Sequence, residues 1–183
     1  VLWSCAPVGW GMGCWVWASS LGGSVRNLTA GELLEQVLFT QKESGLPISN
    51  IVPVGIGEPL ENCDNVRRFL TLVNRPEGVH IGMRHISLST CGLVKGIDRL
   101  AEEGLQITLS VSLHAPDDET RSRLMPVNRA TGVEALFAAC NRYFAKTGHR
   151  ISSGSAMIDA VNDTPRTAAL LAHRADGKGD HAT

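Results

Sequence analysis

The sequence predicts an α/β protein, specifically a partial parallel β/α barrel. Segments with the composition of buried strands alternate with segments of helical periodicity, and the strands are largely apolar, as in parallel sheets covered by helices. In addition, Glu58, Ser89 and the run from Ser112 to His114 each stand at the carboxyl end of a predicted strand. An open doubly wound sheet is the alternative. We favour the barrel because its strand ends converge on one mouth.

Length and composition are those of one globular domain. The 183 residues are 43% hydrophobic and 19% charged, and the formal net charge is -1. Contact with nucleic acid would therefore need a local basic patch or parts of the protein outside this sequence. We assign residues 1–174 to an incomplete barrel domain and the polar, glycine-rich residues 175–183 to a disordered tail. The chain begins at Val1 rather than Met, and we expect it to be part of a longer protein.

The first 25 residues are uncharged and rich in Trp, Val and Gly. Gly and Ser interrupt this stretch too often for the roughly 20 successive apolar residues of a spanning helix, so we predict no membrane segment. The sequence has five cysteines, an odd number, and lacks the pattern of a secretory signal. We therefore expect a reducing, cytoplasmic environment.

The first predicted helix covers residues 30–43. Thr29 and Glu32 have the spacing of a capping box, and apolar residues follow at helical intervals. Gly45 and Pro47 end this helix because glycine closes helices and proline cannot continue them.

A short strand begins at Ile51 and ends in residues 55–59, Gly-Ile-Gly-Glu-Pro. The glycines allow the backbone to approach a ligand, and the Glu58 carboxylate suits an ammonium or hydroxyl group. A phosphate site is not indicated, because neither the P-loop nor the G-x-G-x-x-G spacing is present. The stretch is either a binding loop or a tight turn with a surface glutamate. Pro53 is unexpected in a central strand because it lacks an amide hydrogen.

The remaining predicted elements alternate. Helices are predicted for residues 64–74, around Ile97 up to Gly104, and for residues 118–124, 133–147 and from 165 onward. Strands are predicted for residues 84–89, 105–114 and 150–158, although Ser152 to Ser155 are poor strand formers.

Basic residues recur in the second half of the chain. They are either a patch that contacts RNA phosphates or, more commonly for such residues, solvated charges on helix surfaces. The residues concerned are Arg121, Arg123, Arg129, Arg142, Lys146 and Arg150.

Several motifs in order resemble those of the radical S-adenosylmethionine (SAM) RNA methyltransferases of the RlmN/Cfr kind. The resemblance runs from about residue 3 to 174. Its motifs are residues 26–37 (Arg-Asn-Leu-Thr-Ala-Gly-Glu-Leu-Leu-Glu-Gln-Val), 55–60 (Gly-Ile-Gly-Glu-Pro-Leu), 64–66 (Asp-Asn-Val), 89–93 (Ser-Thr-Cys-Gly-Leu), 112–116 (Ser-Leu-His-Ala-Pro), 121–128 (Arg-Ser-Arg-Leu-Met-Pro-Val-Asn), Asp159 and 161–163 (Val-Asn-Asp).

The resemblance implies an enzyme that transfers a methyl group to carbon 2 of adenine in 23S rRNA and in tRNA. It also implies SAM and a 4Fe-4S cluster as cofactors and an electron donor such as flavodoxin, and it leaves the oligomeric state open. The family's catalytic residues, a methyl-carrying Cys and an upstream Glu, belong to regions outside this chain, so no catalytic residue is assigned.

By the same resemblance, the glycine and carboxylate of the Gly-Glu pair would hold the SAM amino group. Ser89 would contact the nucleoside or methionine end, and the Ser-Leu-His run would line the same ligand. Alternatively, the serine hydroxyls bond to local backbone and His114 fills another role. The cofactor-binding residues are thus predicted to be Gly57, Glu58, Ser89, Ser112, Leu113 and His114.

The cluster motif departs from the family. Where the family has Cys-x3-Cys-x2-Cys, this chain has Trp10, Cys14 and Trp17, so Cys14 is the one metal ligand predicted in the motif. Indole offers iron no lone pair. Trp3 also stands where the family commonly has Cys. These tryptophans are either genuine or sequence errors; if genuine, we expect this copy to be impaired.

Three hypotheses follow for the function. The first is the RNA methyltransferase just described, in an impaired copy. The second is a non-catalytic remnant that binds SAM or RNA. The third is a β/α-barrel metabolic enzyme unrelated to SAM, for which the sequence offers no acid/base pair. We predict that the cysteines at 63, 91 and 140 are buried thiols that pack as small apolar residues.

Overall fold

The computed structural model describes residues 2–3, 26–54, 57–175 and 180–182. Its strands are β1 (Leu2–Trp3), β2 (Val52–Pro53), β3 (Ser87–Thr90), β4 (Thr108–Ser112), β5 (Ile151–Gly154) and β6 (Asp180–Ala182). Its α-helices are α1 (Ala30–Ser44), α2 (Cys63–Asn74), α3 (Val94–Glu102), α4 (Asp118–Leu124), α5 (Asn128–Thr147) and α6 (Pro165–Ala175), and short 3-10 helices cover Pro59–Asn62 and Met83–His85.

All strand pairs are parallel, and each strand pairs with the next one in the chain. The pair β1-β2 is linked to the sheet β3-β4-β5-β6 by a parallel bridge between Ile51 and Ile86. A doubly wound sheet would reverse its strand order at a switch point, whereas consecutive neighbours are the arrangement of a β/α barrel. The predicted partial β/α barrel is therefore confirmed.

Pro53 explains why the contact between β2 and β3 is so short. The amide of Ile51 donates to the His85 carbonyl, and the Ile51 carbonyl accepts from Ser87. Alternate residues of a parallel strand face the same neighbour, so the next donor toward β3 would be Pro53, which has no amide hydrogen. The ladder therefore stops just before the loop that carries Gly57 and Glu58.

The two faces of the sheet differ in polarity. Leu88, Leu109 and Ile151 are register partners on one face and are buried beneath the helices. The opposite face carries half-buried serines, including the pair Ser87 and Ser110, whose hydroxyl oxygens lie 2.8 Å apart. In a barrel this second face is the interior, so the sheet presents hydroxyl groups to the inside of the barrel.

The predicted helices are found with small shifts at their ends. The capping box of α1 is present, with the Glu32 amide donating to the Thr29 hydroxyl, and Gly45 ends the helix with a positive φ of 65°. The strands are shorter than predicted, because pairing stops where the chain turns into the loops. Helix α5 begins at Asn128 rather than 133, with a break at Gly132 (φ 74°).

The structure describes parts of the predicted tail, residues 175 and 180–182, and the expected disorder of residues 175–183 stays a prediction. Helix α6 runs to Ala175, and β6 pairs with β5 in register, for example Ile151 with Asp180. The edge of β5 that faces away from β4 offers backbone donors and acceptors, and the backbone of β6 forms hydrogen bonds with them. None of the described helices is long and apolar enough to cross a membrane.

Candidate functional site

The Glu58 side chain closes the loop that follows β2. It is 4% exposed, and its Oε1 accepts a hydrogen bond from the Leu60 amide at 3.0 Å, which caps the helix Pro59–Asn62. Its Oε2 accepts from the Cys91 amide at 2.7 Å. Burial raises the pKa of Glu58, and the Cys91 amide opposes this shift. The carboxylate therefore ties the end of β2 to the end of β3.

Gly57 precedes this carboxylate with a φ of 120°, a backbone conformation that favours glycine. It is half-buried. Gly55, the other glycine of the predicted loop, lies outside the described residues. The positive φ of Gly57 by itself explains why glycine is needed at this position of the motif.

Ser89 lies on the serine face near the end of β3. It is half-buried and in register with Ser110. The chain then turns at Gly92, whose φ is 99° and where a Cβ would lie 2.7 Å from a methyl carbon of Leu136. Glycine is needed there both for its conformation and for the close approach of α5.

Ser112, Leu113 and His114 leave β4 in three different environments. Ser112 is half-buried on the serine face, whereas Leu113 is 2% exposed and part of the apolar core. His114 has a φ of 59°, which is uncommon for a residue with a side chain. Its Nδ1 accepts a hydrogen bond from the Ala156 amide at 3.0 Å, so the neutral ring carries its proton on Nε2. Burial, and secondarily the nearby Arg121 charge, lowers the pKa of His114 to about 4.

Asn162 holds the loop after β5 against His114. Its Nδ2 donates to the carbonyls of His114 and Ala156, both at 2.7 Å, and its Oδ1 accepts from the Ile158 amide at 2.6 Å. Asn162 is 3% exposed. One buried amide side chain therefore joins the carboxyl ends of β4 and β5.

The structure corrects the interpretation of Arg121 as part of a basic surface. Its side chain is 1% exposed, so it is unavailable to a phosphate in solution. Arg142 pairs with Asp98 at 2.8 Å and Lys146 pairs with Glu102, which supports the interpretation of these two as solvated helix charges. The assignment of Arg121 to the surface was wrong because helical spacing does not indicate that a single arginine is buried.

The cysteines among the described residues do not converge. Cys91 and Cys140 are buried, as predicted, and Cys63 is half-buried. Burial raises the pKa of the Cys63 and Cys91 thiols, which disfavours the thiolate that iron requires. Within the described part of the chain, no group of three or more His, Cys, Asp or Glu could hold a metal ion. Cys14, Trp10 and Trp17 lie outside the described residues.

The carboxyl ends of β2, β3, β4 and β5 thus form one continuous polar edge. Of the predicted binding residues, Gly57, Ser89 and Ser112 are half-buried at this edge, whereas Glu58 and Leu113 are turned into the protein. Sequence reasoning missed the roles of Arg121, Asn128 and Asn162. Each belongs to one of the motifs that carry the family resemblance, but nothing in the spacing indicates which residues of a motif are buried.

The chain belongs to the radical SAM superfamily, which it matches over residues 13–171. Members of this superfamily use SAM together with a 4Fe-4S cluster.

Within the superfamily, the chain is similar to proteins named probable dual-specificity RNA methyltransferase RlmN. It is 51% identical over 164 residues to that of Clostridium perfringens (strain 13 / Type A), covering 90% of this chain and 47% of the relative. It is 50% identical over 176 residues to that of Symbiobacterium thermophilum, covering 95% of this chain and 47% of the relative. The chain therefore spans about half the length of these relatives.

A solved structure agrees with both the fold and the sequence likeness. A radical SAM methyltransferase from Sphaerobacter thermophilus superposes with a TM-score of 0.88 at 43% identity, covering 98% of this chain and 53% of that one. A more distant match, Streptococcus suis SuiB bound to its precursor peptide, has a TM-score of 0.60 at 14% identity and shares the fold alone.

Proposed function

We propose that this chain is the SAM-binding core of a radical SAM RNA methyltransferase whose reaction is methylation of adenine carbon 2 in 23S rRNA and tRNA. The observation that carries the proposal is the juxtaposition, at adjacent ends of consecutive parallel strands, of the Gly57-Glu58 pair, Ser89 and the run from Ser112 to His114. Relatives bearing the RlmN name support the substrate class. The proposal places the chain in the cytoplasm with a flavodoxin-type electron donor.

The residues at this edge fit SAM in chemical type. When bound, SAM would supply the methyl group. The half-buried Gly57 backbone would face its amino group, and the half-buried hydroxyls of Ser89 and Ser112 would bond to its polar groups. Because both Glu58 oxygens already accept amide hydrogens, the carboxylate would act mainly by fixing the loop.

The residues of the chain do not fit the cluster. A 4Fe-4S cluster of this type needs three thiolates, and the motif supplies only Cys14. The described cysteines form no group that could hold a metal ion, and burial disfavours the thiolates of Cys63 and Cys91. We therefore propose that this copy does not assemble a full cluster.

Two measurements on the purified chain test these proposals. Calorimetry with SAM should give a saturable heat for the wild type and a weaker one for Ser112→Ala, with the exposed Ser49→Ala, away from the strand-end edge, as the control. Absence of any heat would rule out a SAM-binding core.

Anaerobic reconstitution should give well under four irons per chain, and the double change of Trp10 and Trp17 to Cys should raise the iron and sulfide content. A full cluster in the unaltered chain would disprove the impairment.

A non-catalytic SAM-binding remnant is the second candidate function. The observation that favours it is the pair of tryptophans at the outer cluster positions beside an otherwise intact strand-end edge. SAM binding by both the unaltered chain and the double Cys variant, without methyl transfer to rRNA by either, would favour the remnant.

A further inference from the structure

Arg121 is a buried cation that bonds to backbone carbonyls rather than to a carboxylate. Its Nε donates to the Leu113 carbonyl at 2.9 Å, and its Nη2 donates to the carbonyls of Cys91 at 2.6 Å and Ser112 at 3.2 Å. Its Nη1 donates to Oδ1 of Asn128 at 2.6 Å. The side chain leaves α4 and ends between the carboxyl ends of β3 and β4.

These bonds begin where the β3–β4 ladder stops. The last register pair of the two strands is Thr90 with Val111. The next two residues, Cys91 and Ser112, lie beyond this last register pair, yet both of their carbonyls accept from the same Nη2 atom. The guanidinium therefore links β3 and β4 one residue beyond the end of their backbone ladder. This link lies where the predicted site residues begin.

A relay of polar groups sets the orientation of the guanidinium. Asn128 accepts from Arg121 through Oδ1 and donates through Nδ2 to Oδ1 of Asp118 at 2.8 Å. The same Asp118 oxygen accepts from the Val133 amide at 2.7 Å. The Asn128 bond, followed by the Val133 amide, lowers the pKa of Asp118. The Asn128 side chain thus links the arginine to the Asp118 carboxylate. These bonds fix α4 and the start of α5 to the strand ends.

The cost of this arrangement indicates a purpose beyond stability. Burying a guanidinium away from water is unfavourable unless every bond is well formed, and apolar residues of similar volume often stabilise such sites better. An apolar residue, however, could not bond to three carbonyls and so could not define the distance between Cys91 and Ser112.

We propose that Arg121 is a positioning residue for the SAM site. By holding the carbonyls of Cys91, Ser112 and Leu113, it fixes the Ser112–His114 run relative to Cys91. Through the Cys91 amide, it also fixes that run relative to Glu58. The ligand itself rests on the proposed function, whereas the positioning of the strand ends does not. Loss of the guanidinium fork would weaken the site more than it weakens the fold.

The first test compares SAM affinity with folding stability. Arg121→Lys keeps the charge and loses the fork, and Arg123→Lys on the exposed side of the same helix is the matched control. Val73→Ala, in the core at 0% exposure, supplies a destabilised chain with an intact strand-end edge. We expect Arg121→Lys to weaken SAM binding by about tenfold or more, and the two controls by about twofold or less. An effect of Arg121→Lys no larger than that of Val73→Ala would overturn the proposal.

The second test needs neither SAM nor activity. Hydrogen exchange in Asn128→Ala, which removes one partner of the guanidinium and leaves the arginine in place, should increase locally at the amides of Leu113 and Ala115. Both amides are bonded in the wild type, to the carbonyls of Gly154 and Leu113. The Ile81 amide, bonded to the Val73 carbonyl away from the site, is the internal control.

The two tests separate the two proposals. Exchange that rises equally at Leu113, Ala115 and Ile81 means only global loss of stability and overturns the positioning role. If the wild-type chain binds no SAM, the proposed function fails, and the exchange data alone decide whether Arg121 positions the strand ends.

Discussion

The Oε2 atom of Glu58 accepts a hydrogen bond from the amide of Cys91, 33 residues further along the chain, at 2.7 Å. Among the described residues, β2 and β3 are joined by one bridge between the residues that precede them, Ile51 and Ile86, because Pro53 ends their ladder. The buried carboxylate therefore replaces a missing backbone contact between two strand ends. Arg121 has the corresponding position between β3 and β4, so one buried carboxyl group and one buried guanidinium hold three consecutive strand ends together.

Glu58→Ala should destabilise the chain by about 2–4 kcal/mol, because it leaves the amides of Leu60 and Cys91 buried without an acceptor. Glu58→Gln should cost less, since the amide oxygen still accepts one of the two bonds. Urea denaturation measures both, and the exposed Glu61→Ala should stay within about 0.5 kcal/mol of the wild type. Equal losses for Ala and Gln would show that the carboxylate is not needed as a double acceptor.

Stability should fall as the pH decreases from about 6.5 to about 4, partly through His114. Its pKa is lowered to about 4 from an ordinary 6.5, so in this window the unfolded chain binds a proton that the folded chain does not. The contribution of neutral His114 is complete above about 6.5 and is lost toward 4. Burial raises the pKa of Glu58, so the folded chain binds the proton more tightly than the unfolded chain. The contribution of Glu58 to stability therefore decreases as the pH rises above its ordinary pKa of 4.5.

His114→Asn isolates the histidine contribution, because asparagine tolerates the positive φ and does not titrate. Denaturation at several pH values should show a shallower acid loss for this variant than for the wild type. Parallel curves for the two proteins would mean that His114 does not control this loss.

Two glycine-to-alanine changes in helices should change the free energy of unfolding in opposite directions. A Cβ at Gly96 in α3 would lie 2.6 Å from Cβ of Leu60, so Gly96→Ala should destabilise by about 1–3 kcal/mol despite the better helix propensity of alanine. A Cβ at the exposed Gly31 in α1 would meet its nearest atom at 3.9 Å, and Gly31→Ala should stabilise by about 0.5–1 kcal/mol. Thermal or urea denaturation gives both signs, and stabilisation by Gly96→Ala would contradict the close approach of α3 to Leu60.

Asn162→Asp should destabilise the chain by about 2–4 kcal/mol at neutral pH, because a carboxylate would face the carbonyls of His114 and Ala156 without hydrogens to donate. The loss should shrink in acid, where the protonated carboxyl can donate once. Asp163→Asn at the exposed next position is the control. An unchanged free energy of unfolding in Asn162→Asp would show that Asn162 does not hold the loop.

The amino-acid pattern was sufficient for the order and type of most elements. Helix α4 has the predicted bounds of residues 118–124, and the capping box at Thr29 is formed as expected. The pattern was poorest at strand ends: β5 covers Ile151–Gly154 rather than residues 150–158. Pairing depends on a neighbouring strand, so a single segment cannot indicate where its own ladder ends.

Local spacing, propensity and motif residues were enough to establish a parallel α/β fold, its family likeness and the strand ends that carry Glu58, Ser89 and Ser112. Three-dimensional packing alone decided that Glu58 bonds to Cys91, that Arg121 is buried, and that His114 is held by Ala156 and Asn162. The reason is physical: periodicity reports which face of an element is apolar. The partner of a buried charge comes from a distant segment, and that partner exists only after the strands have paired.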